Sequence, residues 1–145
     1  MNMKNILFAL GVLFLMMSCK KDDVKQKENI EEEITSGTWK ITYFSDSGVD
    51  ETANFTGYNF EFKTDGTLTA SNGSNTYNGT WNVTDNNSND DSPDDLDFTI
   101  YFNLTNDFED LNDDWDITSH TESKLELIDV SGGNGGTDLL TFTKN

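Results

Sequence analysis

The sequence predicts an all-β fold: an eight-stranded antiparallel up-and-down barrel, with a two-sheet β-sandwich as the alternative that periodicity does not separate. Three observations predict it. From Thr38 onward, apolar residues recur with a period of two rather than the helical one. The alternating segments are short and are joined by links rich in Gly, Asn and Asp. The length of 145 residues fits one domain and not two. Closing a meander into a barrel removes its exposed strand edges, which favours the barrel over an open sheet.

The N-terminus is read first as an address. Met1 to Asn5 carries Lys4 and no acid, Ile6 to Met17 is uncharged, and Ser18 and Cys19 follow. That is the order of parts in a signal peptide, here residues 1–18. A helix over Ile6–Met17 would span about 18 Å, short of the ~30 Å hydrocarbon core of a bilayer. Leu15-Met16-Met17-Ser18-Cys19 resembles the lipobox of bacterial lipoproteins. The resemblance implies cleavage before Cys19, a thioether from its sulfur to diacylglycerol, and acylation of the new amino group. Two or more acyl chains suffice for stable anchoring. Lys20-Lys21-Asp22-Asp23 is similar to the Lys-acid-acid surface-export signal of some Gram-negative lipoproteins. Both resemblances imply an outer-membrane lipoprotein, with the membrane as partner through lipidated Cys19.

Lys20 to Ile34 holds ten charged residues and no aromatic one. Such a stretch buries too little apolar area to offset its ordering entropy. Residues 19–34 are therefore expected to form a flexible tether, with helical tendency at Asn29–Glu33. Extended, it would let the domain stand up to ~50 Å from the bilayer.

The strands follow in order. Thr38–Tyr43 places Trp39, Ile41 and Tyr43 on one face, and Tyr58–Lys63 does the same with Tyr58, Phe60 and Phe62. Thr64-Asp65-Gly66-Thr67 reads as a hairpin turn, because Asp-Gly supplies positive φ. Thr67–Ser71 turns Leu68 and Ala70 inward, and Asn72-Gly73-Ser74 is the next turn. Tyr77–Val83 alternates again, with Gly79 marking a bulge or sharp bend. Asp85–Asp95 is a polar loop containing Pro93. Leu96–Phe102 is the cleanest alternation, and Asn106–Asn112 suits a helical turn with Phe108 and Leu111 three apart. Trp115–Ser119 and Lys124–Ile128 form a strand pair, Ser131–Thr137 is a Gly-rich connection, and Leu139–Thr143 closes the chain.

Gly37-Thr38-Trp39 matches the Gly-x-Trp of lipocalins, and the stretch from Trp39 to Val83 resembles small lipocalin-like lipoproteins. The resemblance spans residues 37–144 and implies a barrel whose first-strand Trp plugs one end. Lipocalins pack an Arg over that Trp; this chain has no Arg, since all 9 basic residues are Lys.

An eight-stranded barrel is either filled by side chains or holds one small ligand. The expected interior contains Trp39, Tyr43, Tyr58, Phe60, Phe62, Tyr77, Trp81, Phe98, Phe102 and Trp115, the candidate ligand-binding rings. Ile41, Leu68, Ile100, Ile117, Leu125 and Leu127 complete it. A ligand there would be small and apolar or aromatic, held by Tyr hydroxyls or indole N–H groups. So many large rings also suit a filled interior without a ligand.

Charge narrows the partners. With 9 Lys against 27 acids the net charge is -18, which argues against nucleic acid and gives no basic patch for anionic lipid. One Cys and one His exclude a disulfide framework and an all-Cys/His zinc site. No metal site is assigned. Asp90, Asp91, Asp94, Asp95 and Asp97 are weak candidates for a hard cation, but the loop matches no EF-hand: Asp90 and Leu96 stand where Gly and Glu are needed. No cofactor fingerprint or nucleophile elbow is present, and His120 beside a turn reads as a surface residue, so no enzyme and no cofactor are expected. The expected function is a membrane-anchored binding or accessory module. The rivals are an interaction lipoprotein with a filled barrel and, third, a cation-dependent surface protein.

Overall fold

The computed structural model describes residues 19–85, 96–131 and 135–145. One helix, α1 (Cys19–Thr35), precedes nine strands: β1 (Trp39–Asp46), β2 (Val49–Asp50), β3 (Asn59–Phe62), β4 (Thr67–Ser71), β5 (Thr76–Asp85), β6 (Leu96–Tyr101), β7 (Asp113–Thr121), β8 (Lys124–Val130) and β9 (Thr137–Lys144). Two 3-10 turns, Thr52–Phe55 and Asp107–Leu111, lie between strands. From β3 to β9 each strand pairs antiparallel with the next, β9 pairs back onto β1, and β1 reaches β3 at Trp39–Phe60. This closes an eight-stranded barrel, with β2 as an extra two-residue strand on β1. The up-and-down barrel is thus the observed fold, not the two-sheet sandwich.

Strands β1 and β7 each carry one extra residue, and both insertions decide what faces inward. In β1, Ile41 pairs with Phe142 and Tyr43 with Thr141, leaving Thr42 without a partner position. A bulge of this kind reverses the alternation beyond it. Tyr43 is therefore turned out, at 39% exposure, and Phe44 is buried in its place. The period-two reading of Tyr43 as an interior residue fails for that reason. In β7 the shift falls between Ile117 and Ser119. It brings His120 opposite Leu125, a buried position at the barrel end.

The turns differ in detail from the expected ones. Lys63 and Thr67 flank a three-residue loop, with Gly66 N–H donating to Lys63 O (2.9 Å) and Lys63 N–H to Thr67 O (2.9 Å). Only Gly66 has positive φ there (83°), while the Asp65 carboxylate accepts from Thr67 N–H at 2.9 Å. The link between β1 and β2 is the two-residue hairpin: Ser47 (φ 48°) and Gly48 (φ 86°) both take positive φ. Gly79 marks no bulge, for it sits in regular register with Leu68. A Cβ there would lie 2.5 Å from Tyr101 O and 2.8 Å from the Phe102 ring. The glycine makes room for a ring.

The charged segment expected to be a flexible tether is instead α1. Its Ile30 and Ile34, one turn apart, are 1% and 2% exposed and join the barrel core. Two isoleucines on one stripe anchor a helix that is otherwise mostly charged and polar, and composition alone does not reveal them. No helix among the described residues is long and apolar enough to cross a membrane.

Candidate functional site

The interior is the first candidate, and rings fill it. Phe108, from the second 3-10 turn, is packed against Phe55, Tyr58, Tyr77 and Phe102 with centroids 4.8 to 5.4 Å apart, and against Phe60 at 6.1 Å. Phe60 meets Phe142 at 5.3 Å, Phe142 meets Phe62 at 5.4 Å, and Phe62 meets both Trp81 and Phe98 at 5.6 Å. A continuous chain of edge-to-face and tilted rings thus runs from one end of the barrel to the other. Of the predicted ligand-binding rings, Trp39, Phe60, Phe62, Trp81, Phe98, Phe102 and Trp115 are buried, Tyr58 and Tyr77 are half-buried, and Tyr43 is outside. Phe44, Phe55, Leu140 and Phe142 belong to the core as well. Alternation along β9 would have found Phe142; Phe55 lies in a 3-10 turn, where no period marks it.

Among the described residues, each end carries a covering segment. At the near end α1 runs across strands from opposite sides of the barrel, reaching β3, β5 and β7. The Trp39 indole N–H donates to Ile34 O at 2.8 Å in a buried bond. His120 Nδ1 lies 2.8 Å from Glu33 Oε2, tying β7 to the helix. The space left under α1, between Ile30, Ile34, Trp39, His120 and Leu125, is about 10 Å³, room for one water at most. Lys144 Nζ stands 5.1 Å from the Trp39 ring centroid. The lipocalin pattern expects Arg over this Trp, and a lysine of β9 holds the place here.

At the far end the second 3-10 turn forms the plug. Asn106 caps it by accepting from Phe108 N–H at 3.2 Å, and Trp115 Nε1 donates to Leu111 O at 3.1 Å. Asn112 holds the strand end in both directions, accepting from Phe102 N–H (2.6 Å) and donating to Phe102 O (2.9 Å). Tyr77 has its phenol pushed up, first by its hydrogen bond with Tyr58 and then by burial.

Among the described residues, grooves lie outside the barrel. One, of about 360 Å³, runs between α1 and β5 and is lined by Glu31, Glu32, Thr35, Thr64, Gly66, Trp81 and Asn82. Trp81 is the predicted ring that reaches it, but its indole N–H is already committed to Lys63 O at 2.9 Å.

The far end is strongly acidic. Burial raises the Asp110 carboxyl above the usual range, helped by Asp46, Asp107 and Glu109 nearby. Burial likewise raises Asp113, with Asp129, Asp114 and Asp138 adding to it. Among the described residues no three His, Cys, Asp or Glu side chains converge to hold a metal ion. Of the weak cation candidates, Asp90, Asp91, Asp94 and Asp95 lie outside the described residues, as do the signal segment 1–18 and Pro93. Asp97, in β6, is 7% exposed. Cys19, the expected lipidation site, opens α1.

No family model matches the chain, and no curated protein matches it. Among solved structures it is similar to the crystal structure of a DUF4847 family protein from Bacteroides vulgatus. The TM-score is 0.50 and the identity 22%, over 80% of this chain and 97% of that one. At that identity the likeness speaks for the barrel fold and for nothing finer.

Proposed function

We propose that this protein is a lipid-anchored, lipocalin-like barrel of the bacterial outer membrane that works through its outer surface as an interaction or accessory module, not as a carrier. The observation that carries this reading is the filled interior: the rings that would have lined a ligand cavity pack against one another from end to end. A carrier of this size needs a cavity of roughly 300 Å³ or more. The lipobox-like Leu15–Cys19 supports the anchor, since the lone Cys of the chain stands where the lipid would be attached.

A native mass spectrum of the protein purified from its own cells tests the interior. The expected mass is that of the chain from Cys19 onward with its acyl groups; an additional apolar small molecule retained on the folded protein would overturn the reading. Cys19→Ala tests the anchor. The variant should leave the membrane fraction, and continued membrane attachment would contradict lipidation.

A further inference from the structure

We infer that α1 is a strut, holding the Trp39 end of the barrel toward the bilayer and close to it, so that the opposite end is the surface the protein presents outward. The inference rests on the anchoring of Cys19 proposed above and deepens it with an orientation. Three contacts fix the helix: the buried pair Ile30 and Ile34, the Trp39 indole bond to Ile34 O at 2.8 Å, and the Glu33–His120 contact at 2.8 Å. They involve β1 and β7 as well as the core, so α1 cannot pivot about one of them without losing the others. The link to β1 is also short. Ser36, Gly37 and Thr38 are all that separate the elements, with Ser36 N–H donating to Glu33 O at 3.3 Å and Gly37 making the turn at φ 88°.

From Ile30 back to Cys19 the chain is one continuous helix. At ~1.5 Å per residue those eleven steps span about 16 Å, against the ~50 Å of an extended leash. The anchor point therefore lies within about 16 Å of the docked turn. The near end faces the lipid, and the 3-10 turns with the Asn72–Asn75 hairpin face away.

The lysines are placed unevenly, although acids lie at both ends, with Asp65, Asp97, Glu122 and the α1 residues Glu28, Glu31, Glu32 and Glu33 at the near one. Strand direction puts all four barrel lysines, Lys40, Lys63, Lys124 and Lys144, at the near end. The far end carries Asp46, Asp107, Glu109 and Asp110 and no lysine.

Energy transfer to the membrane surface tests the strut. The acylated protein is placed in vesicles containing headgroup-labelled acceptor lipid, with a donor dye on one introduced thiol. Glu122→Cys marks the near end and Ser74→Cys the far end; both positions are exposed. The expected transfer from position 122 is at least about twofold that from position 74, because strand lengths of this size separate the ends by roughly 20 Å or more. A flexible Gly-Ser segment inserted after Lys25 leaves the barrel untouched and should erase the difference. Equal transfer from both positions in the vesicle-bound parent overturns the orientation, as does a difference that survives the insertion. Failure of the anchor shows separately: it is read from Cys19→Ala remaining in the membrane fraction, whatever the transfer values.

Discussion

The two ends of the barrel solve one problem with different chemistry. Each must cover the rim of a ring-filled interior, and each uses a tryptophan whose indole N–H reaches a carbonyl of the covering segment: Trp39 to Ile34 at the near end, Trp115 to Leu111 at the far end. The far cover is a five-residue turn within the barrel's own chain, and its Phe108 is the hub of the ring cluster. The near cover is a 17-residue charged helix from outside the barrel, held by two isoleucines and one carboxylate–imidazole contact. The difference teaches where cooperativity lies. Phe108 shares its contacts with Phe55, Tyr58, Phe60, Tyr77 and Phe102, so losing it weakens the whole domain. The helix adds its area at one edge, so it can detach while the barrel stays folded.

The largest expected effect follows from that contrast. Phe108→Ala should cost about 3–5 kcal/mol of global stability, measured by chemical denaturation with a single cooperative transition. A loss under about 1 kcal/mol would mean the far end collapses freely around the gap. Ile34→Ala should cost about 2–4 kcal/mol at the near end, but locally. Cleavage by a lysine-specific protease at Lys25 and Lys27 should speed up roughly tenfold or more, while the midpoint of barrel unfolding moves less than for Phe108→Ala. Equal shifts in both readouts would join the helix to the global unit.

Smaller effects sharpen the picture. Lys144→Met keeps the aliphatic stem and removes the charge over Trp39, and it should cost about 0.5–1 kcal/mol in denaturation. No loss would leave Lys144 as a solvated charge. Asp110→Asn should stabilise slightly at pH 7, by about 1 kcal/mol or less after solvent screening. The sign follows from linkage. The Asp110 carboxyl is raised in the folded state, by burial first and by Asp46, Asp107 and Glu109 after it. Its ionised form therefore costs stability, and that cost is relieved as pH falls through its raised folded value toward the ordinary 3.8. The advantage of Asn over Asp should fade over the same fall in pH, followed by thermal melts at each step.

Much of the barrel was legible in the sequence because a half-buried strand writes its burial as alternation. β4 matches its predicted span of Thr67–Ser71, and Phe60, Phe62, Phe98 and Trp115 lie inside as their period requires. What alternation misses is any residue that breaks it. Thr42 and Thr118 each insert one position, which sends Tyr43 out, Phe44 in and His120 to the barrel rim. Nothing in the local composition announces either bulge. The Ser47-Gly48 turn went unread, and the two-residue strand after it is too short to show a period. The helix escaped for a different reason. Ten charges from Lys20 to Glu33 hide the spacing of Ile30 and Ile34, which acquires meaning only when Trp39 and Leu125 offer them a surface. As for the candidate site, most of the named rings face inward, but Tyr43 faces out and Phe44, Phe55, Phe108 and Phe142 went unnamed as site rings, and only packing distinguishes a lined cavity from a filled one.

Amide hydrogen exchange along α1 in the folded protein tests the central claim most directly, because docking and not propensity must protect so polar a helix. Amides from Ile30 to Thr35 should exchange slowly, approaching the barrel strands, and protection should extend back along α1 to all but its first turn, whose N–H groups have no partner within the helix. Uniformly rapid exchange across residues 19–35, at the rate of an unstructured chain, would contradict it.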